Sequence, residues 1–218
     1  MIDHGRDNPP RQPERCQQVR DIYAPFCEHT PVSFEAQAPT AEEMRDRIAK
    51  ILRSHPWLVY QDEGHVLGYA YASPHRERAA YRWAVDVSAY VREGHRRLGV
   101  GRSLYRSLLA LLQLQGFYRA LAGITLPNPG SVGLHQAMGF RPMGTYQNIG
   151  YKCGQWHDVE WFQLALRDCN DVPEDPLDFA VVRQLPQWNA RLVSGLALAH
   201  VSLGPHQDRG VRYAGDHA

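Results

Sequence analysis

The sequence predicts an α/β (α+β) fold in which helices cover both faces of a mixed, mainly antiparallel sheet. After two leading helices, the predicted elements follow in the order β, β, β, α, β, α, β. A glycine-containing turn at residues 96–102 joins a strand to a strongly amphipathic helix. The chain of 218 residues is long enough for one domain with a full core and some tail.

Two helices are predicted before the first strand. The first has one apolar face, formed by Val19, Ile22, Tyr23 and Phe26. Pro25 should end or kink this helix, because proline has no amide hydrogen for the next helical hydrogen bond. Thr40 followed by Glu43 is a capping box that starts the second helix, whose apolar face continues to Ser54.

The strands are identified by β-branched and aromatic residues between turn residues. Segments 57–60 and 65–72 are predicted to form a hairpin across the turn at 62–64, with 81–91 as the neighbouring strand. The remaining predicted elements are a helix that ends near Gln115, a strand at 119–126, a short helix at 131–138 and closing strands within 156–166.

Both ends of the chain differ in composition from the middle. Residues 1–13 are polar and contain three prolines, which predicts disorder. Residues 14–167 form the predicted domain. Residues 168–218 are a C-terminal extension without a predicted function, either a poorly ordered appendage or an additional packing segment. Within it, residues 192–203 are apolar enough for a helix or strand.

Composition and charge exclude several functional classes. With 24 basic and 23 acidic residues the net charge is +1, which argues against a nucleic-acid partner. The four cysteines lack C-x-x-C spacing, so we expect no metal site and a reduced compartment. We expect no contact with a membrane and a cytoplasmic location, because no apolar run approaches the ~20 residues of a membrane helix.

The turn at residues 96–102 has the composition of a phosphate site. Gly99 and Gly101 let backbone amides approach an anion, and the following helix directs its positive end at the same point. Arg96, Arg97 and Arg102 add cationic donors. The alternative is a basic turn without a ligand, since two glycines alone are a weak signal.

The spacing R-x-x-G-x-G at residues 96–101 resembles the acyl-CoA pyrophosphate loop of the GCN5-related N-acetyltransferases (GNAT). The resemblance extends from about Val19 to about Leu166, and within the superfamily the chain is similar to the phosphinothricin acetyltransferase group. The segments that carry it are 31–35, 55–59, 68–72, 126–128, 131–135 and 150–159. The most specific motif is Lys-x-Gly-x-Trp-His-Asp-Val at residues 152–159. Relatives open with a short strand that residues 1–13 lack. The edge of the sheet that this strand forms in relatives is therefore either degenerate or rebuilt here.

The resemblance implies acetyl-CoA as co-substrate. Backbone amides near Tyr90 and Val91 would polarise the thioester carbonyl where the strand splays from its neighbour, and the pantetheine arm would fill that gap. Asn128 would contact the arm from the opposite wall, although it also suits a turn. The implied cofactor residues are Ala89, Tyr90, Val91, Arg96, Arg97, Leu98, Gly99, Val100, Gly101, Arg102, Asn128 and Ser131.

Two residues are candidates for proton transfer. Asp86 lies in an apolar strand, where a carboxylate is costly unless it has a function, although it also suits a strand edge that faces water. The group has a glutamate at the matching position, so the shorter Asp86 would act as base directly or through a bridging water. His135 precedes Gly139-Phe140 by the spacing of the tyrosine that protonates the thiolate in many relatives, and would be an acid or would orient the substrate. A lone histidine can equally be structural.

The acceptor site is also implied by the resemblance. Arg76 and Arg78 would bind the anionic groups of a small amino acid, unless they are ordinary solvated residues. Phe34, Tyr81 and Tyr90 would form aromatic walls. The resemblance thus implies N-acetylation of the α-amino group of a small anionic amino-acid analogue such as phosphinothricin or methionine sulfoximine, which would give resistance to that compound. It also implies a homodimer, since relatives commonly dimerise. The alternatives are transfer to another small amine and a weakly active acyl-CoA-binding protein.

Overall fold

In the computed structural model, which describes residues 12–169, 172–198 and 209–215, helices pack on the strands of one sheet. The helices are α1 (Gln12–His29), α2 (Ala41–Ile51), α3 (Val100–Gln115), α4 (Pro129–Ala137), α5 (Phe179–Val182) and α6 (Trp188–Leu192). The strands are β1 (Trp57–Asp62), β2 (His65–Pro74), β3 (Ala84–Val91), β4 (Arg119–Thr125), β5 (Arg141–Lys152), β6 (Gln155–Ala165) and β7 (Gly210–Tyr213).

The strands form a seven-stranded sheet in the order β5-β6-β4-β3-β2-β1-β7. β3 and β4 run parallel, and the other neighbouring pairs are antiparallel. The parallel pair requires a crossover, which α3 provides between the two strands. The predicted mixed, mainly antiparallel sheet is confirmed.

Apolar residues are buried on both faces of the sheet. On one face, α1 and α2 pack through Val19, Ile22, Met44 and Ile48 against Trp57, Val59, Val66 and Tyr69. On the other face, Leu104, Leu108 and Leu112 of α3 pack against Leu58, Tyr60, Ala70, Val85 and Val87. All six residues of β1 are therefore buried, as expected for a strand covered on both sides.

The second helix begins at the predicted capping box. The Glu43 amide donates to Thr40 Oγ1 at 3.2 Å, and the Thr40 amide donates to Glu43 Oε2 at 2.7 Å. The first helix differs from prediction. It begins at Gln12, within the segment predicted to be disordered, and continues through Pro25. Pro25 has no amide hydrogen to donate to the Asp21 carbonyl. Both residues lie on the exposed face of the helix, so water can hydrate that carbonyl. Residues 1–11 lie outside the described residues.

One predicted strand boundary was wrong, and one strand was missed. The strand predicted at 81–91 begins at Ala84, because Tyr81 ends a 3-10 turn in which its amide donates to the Arg78 carbonyl at 2.9 Å. β5 was not located from the sequence at all. Its residues are exposed along most of its length, so the apolar alternation that identifies a half-buried strand is absent.

The described part of the C-terminal extension packs as part of the fold. Phe179, Val182, Trp188 and Leu192 are buried in the core on the α3 face. β7 pairs antiparallel with β1, with Val211 opposite Tyr60, and forms the edge of the sheet. Of the predicted apolar segment 192–203, α6 ends at Leu192, one 3-10 turn follows, and residues 199–203 lie outside the described residues. No helix in the described ranges is long and apolar enough to cross a membrane.

Candidate active site

The parallel strands β3 and β4 separate at the centre of the sheet. Their ladder pairs Ala84 with Arg119, Val85 with Ala120 and Asp86 with Leu121, and it ends there. β3 continues to Val91 without a ladder on the β4 side, while β2 stays paired along its other side. The expected splay is present, and Asp86 lies at its apex. A buried backbone edge without a ladder partner needs another hydrogen-bonding group.

The glycine-containing turn follows this splayed segment. Gly99 is the N-cap of α3 with φ 84°, a left-handed conformation that favours glycine, and it provides no side-chain cap for the helix. The first amides of a helix have no partner within it, so those that follow Gly99 are available to an anion. The side chains of Arg96, Arg97 and Arg102 are exposed around this turn, and Arg96 stacks over the Phe26 ring at 5.3 Å.

Gly101 has a packing function as well. A Cβ at this position would lie 3.2 Å from Leu134 Cδ2 and 3.5 Å from Val91 Cγ2. Glycine therefore lets α3 approach both α4 and the end of β3. Among the other predicted cofactor residues, Val100 is buried, whereas Leu98, Ala89 and the neighbouring residues at the end of β3 are half-buried.

Asp86 forms a close pair with a histidine that the sequence analysis missed. His75 Nδ1 and Asp86 Oδ1 are 2.7 Å apart, and the two side chains are 12% and 33% exposed. Burial raises the pKa of the Asp86 carboxyl, and the hydrogen bond from His75 opposes that shift. The position of His75 depends on strand register: Ser73 lies opposite Asp86 in the β2–β3 ladder, and His75 follows just beyond the end of β2. Only knowledge of that register could have linked the two residues in advance.

His135 is enclosed at both ring nitrogens. Nδ1 lies 2.8 Å from the Ser131 carbonyl, and Nε2 lies 2.9 Å from the Tyr105 hydroxyl. The residue is 4% exposed, and burial lowers the pKa of its imidazole. The Ser131 carbonyl can only accept, so it fixes a proton on Nδ1. Because burial favours the neutral ring, Nε2 then accepts from the Tyr105 hydroxyl. Proton exchange at Nε2 therefore involves the Tyr105 hydroxyl.

Asn128 is the N-cap of α4. Its Oδ1 accepts from the Ser131 amide at 3.1 Å, so the turn role that the sequence allowed is present. The Ser131 hydroxyl lies 3.3 Å from His135 Nδ1. The cap thus orients the first turn of α4, and Ser131 in that turn contacts His135 one turn further along the helix.

The predicted acceptor arginines lie in the exposed loop after β2. Arg76 borders two cavities, and Arg78 and Tyr81 line the larger one, of about 680 Å³. The smaller cavity, of about 340 Å³, is lined by residues of the loop after β2 and of strands β4, β5 and β6: His75, Arg76, Leu121, Met143, Tyr146 and Trp161. The C-terminal extension closes the larger cavity from one side, where Arg82 pairs with Asp175 at 2.8 Å and Trp83 Nε1 donates to the Glu174 carbonyl.

Phe34 and Tyr90 line neither of these two cavities. The Phe34 ring lies directly over Gly150, where an added Cβ would be 2.2 Å from the ring. The Tyr90 ring packs between those of Tyr23, at 5.0 Å, and Tyr69, at 5.2 Å. The structure thus brings Arg76, Arg78 and Tyr81 together and leaves these two aromatic residues apart from them.

The motif at residues 152–159 supports the loop that carries Phe34. Lys152 Nζ donates to the carbonyl oxygens of Cys27, Ser33 and Glu35, the last at 2.7 Å. His157 Nε2 lies 2.9 Å from the Lys152 carbonyl, which holds the end of the β5–β6 hairpin in place. Glu35 in turn forms a paired hydrogen bond with Arg47, which lowers the pKa of the Glu35 carboxyl. In the described residues this motif is a scaffold for the 30–35 loop.

The comparisons with known proteins agree on one family. A family profile described as "Acetyltransferase (GNAT) domain" matches residues 16–161. The chain is 41% identical over 167 residues to a phosphinothricin N-acetyltransferase of Streptomyces viridochromogenes, covering 77% of this chain and 89% of the relative. It is 35% identical over 126 residues to an L-methionine sulfoximine/L-methionine sulfone acetyltransferase of Pseudomonas paraeruginosa, covering 57% and 73%.

A solved structure shows the same fold. The phosphinothricin acetyltransferase of Sinorhizobium meliloti in complex with AcCoA superposes with a TM-score of 0.71 at 31% identity, covering 74% of this chain and 89% of that one. No group of three or more His, Cys, Asp or Glu side chains placed to hold a metal ion occurs in the described ranges.

Proposed function

The chain belongs to the GNAT acetyltransferase family, and we propose that it acetylates the α-amino group of a small anionic amino-acid analogue with acetyl-CoA. The observation that carries this proposal is the position of Asp86 at the apex of the β3–β4 splay, where it pairs with His75 immediately before the Arg76–Arg78 loop. Phosphinothricin and methionine sulfoximine are the candidate acceptors, because relatives at 41% and 35% identity are named for them. Acetylation removes the charge of the amine and would inactivate a mimic of an amino acid.

The α3 N-terminus fits the pyrophosphate of acetyl-CoA. Gly99 and Gly101 leave space beside backbone amides, and Arg96, Arg97 and Arg102 supply positive charge at the same end of the helix. The unpaired edge of β3 at Ala89, Tyr90 and Val91 would receive the pantetheine arm as an additional strand. Asn128 and Ser131 would contact that arm from α4.

Each step of the transfer has a candidate residue. Asp86 would drive the loss of a proton from the ammonium group, because partial burial favours proton uptake by its carboxylate. Backbone amides at Tyr90 and Val91 would stabilise charge on the carbonyl oxygen. His135 and Tyr105 form a buried pair that would orient the leaving thiolate and relay its proton. Arg76 and Arg78 would hold the anionic groups of the acceptor.

Thiol release tests the function. The purified protein is incubated with acetyl-CoA alone and with phosphinothricin, methionine sulfoximine, glutamate or a neutral amine. We expect release to depend on an anionic amino acid, and mass spectrometry to find the acetyl group on the α-amine. Binding of acetyl-CoA without accelerated release for any amine would instead identify an acyl-CoA-binding protein.

We also propose a homodimer and a cytoplasmic location. β5 is an edge strand, and large apolar side chains are exposed on it and on β6: Met143, Tyr146, Ile149, Tyr151 and Trp156. A second copy of the same strip would cover them. Light scattering of the wild type and of Ile149→Glu measures this association. The free thiols of Cys153 and Cys169 are exposed, which suits a reducing compartment.

A further inference from the structure

We propose that His75 is the group that takes the proton from the acceptor amine, and that Asp86 acts through it as a positioning carboxylate. This inference rests on the proposed acetyl transfer and refines its base. It assigns to His75 the place of the water that would otherwise bridge the short Asp86 side chain to the substrate.

The geometry of the pair is that of a fixed imidazole. Asp86 Oδ1 lies 2.7 Å from His75 Nδ1, so an ionised carboxylate places the ring proton on Nδ1. The backbone of His75 is held as well, since its amide donates to the Ala84 carbonyl at 3.4 Å. The ring lies edge-to-face with Tyr81 at 5.8 Å and Trp161 at 5.9 Å. Nε2 is then the free basic nitrogen, and it has no hydrogen-bond partner in the described residues.

His75, and not Asp86, lines the cavity of about 340 Å³ beside the splay. Arg76 lies on the same wall and supplies positive charge for an anionic amino acid. Trp161 also lines this cavity, and its ring meets the His75 ring edge-to-face. A basic nitrogen and a cationic side chain on adjacent residues favour an amino-acid substrate whose anionic group meets Arg76 and whose amine meets His75.

The proton inventory of the step is simple. His75 Nε2 accepts one proton from the ammonium group, and Asp86 stabilises the resulting imidazolium. The neutral amine forms the C–N bond as the C–S bond of the thioester breaks. The second proton lost by the nitrogen balances the one taken by the thiolate, and His75 returns its proton to solvent. The net products are the amide, free thiol and one proton.

Chemical rescue tests the assignment. We expect His75→Ala to lower kcat by about 10²–10⁴ with little change in the affinity for acetyl-CoA. Added imidazole should then restore turnover at least about tenfold, because the free base can enter the vacated position. Imidazole should not accelerate the wild type or His65→Ala, an exposed histidine at the far end of β2. A His75→Ala protein with wild-type turnover would overturn the proposal, as would an impaired variant that imidazole does not rescue.

A second measurement does not depend on turnover. Nitrogen-15 NMR of the neutral histidine rings should show the His75 proton on Nδ1, and Asp86→Asn should abolish that preference. A proton fixed on Nε2 would contradict the proposal, because this nitrogen could not accept another. If the wild type acetylates no amine, the proposed function fails, while the NMR result still decides whether Asp86 fixes the His75 ring.

Discussion

Val211 of β7 lies opposite Tyr60 of β1 in the ladder that closes one edge of the sheet. The strand that covers this edge comes from the C-terminal extension, and both residues are buried. Arg209 reinforces the junction through a paired hydrogen bond with the buried Asp62 carboxylate, at 2.9 and 3.0 Å. The extension therefore satisfies a backbone edge that would otherwise be exposed.

We predict that the extension contributes directly to stability. Phe179→Ala should lower the free energy of unfolding by about 3–5 kcal/mol, because Phe179 is 2% exposed in the core and its loss leaves a cavity. Val181→Ala in the same short helix is the control, since Val181 is 49% exposed and should change stability by less than about 0.5 kcal/mol. Urea denaturation measures both. Equal, small effects would show that the extension packs only loosely.

Gly101→Val tests whether the turn at residues 96–102 binds the pyrophosphate of acetyl-CoA. The branched side chain would meet Leu134 and displace the start of α3 from an approaching phosphate, so we expect the KM for acetyl-CoA to rise at least about tenfold, or ~1.4 kcal/mol. The KM for the amine should change much less. Gly133→Ala, on the exposed side of α4 with no atom within 4 Å of the added Cβ, is the control. Equal effects of Gly101→Val on both substrates would contradict a pyrophosphate site.

Local signals and non-local contacts differ in how well the sequence revealed them. The Thr40–Glu43 capping box depends on residues within one helical turn and was predicted correctly. The glycine-containing turn before α3 is also a local signal, and the helix does begin within it, at Val100. The His75–Asp86 pair depends on the register between two strands, which no short window of sequence contains. β7 was not predicted either. It has only four residues, and they form a strand because they pair with the edge of β1.

Arg78→Ala tests recognition of the acceptor. A charge-assisted hydrogen bond is worth about 1.5–3 kcal/mol, so kcat/KM for an anionic amino acid should fall about 10- to 150-fold. A neutral amine should be used about as well as by the wild type. Arg45→Ala on the outer face of α2, where Arg45 pairs with Glu42 and Asp46, is the control for loss of one surface charge. Similar losses for anionic and neutral acceptors would remove Arg78 from the site.

His55 should make the fold sensitive to acid. Burial lowers the pKa of its imidazole to about 4, so the unfolded chain, with an ordinary histidine pKa of about 6.5, takes up the proton first. Stability is therefore lost as pH falls from about 6.5 to about 4, by as much as about 3 kcal/mol. Urea titrations at each pH measure this loss. Between pH 7 and 4.5, His55→Gln should lose less stability than the wild type. The control His29→Gln, which changes an exposed histidine, should lose as much as the wild type. A wild-type acid response in His55→Gln would assign the loss to other groups.

Asp86→Asn addresses the chemistry itself. The amide keeps the shape of the carboxylate but cannot stabilise a proton acceptor, so kcat should fall by about 10²–10⁴ with nearly unchanged affinity for acetyl-CoA. Burial raises the pKa of Asp86, so wild-type kcat/KM should already fall at a pH above the range in which an ordinary aspartate is protonated. This acidic limb of the pH profile should move or vanish in the variant. Asp86→Glu, which keeps a carboxylate, should retain more activity. Wild-type turnover and an unaltered pH profile in Asp86→Asn would eliminate this carboxylate from proton removal. His135→Gln, measured in parallel, would show by a changed limb whether the buried Tyr105–His135 pair also carries a proton.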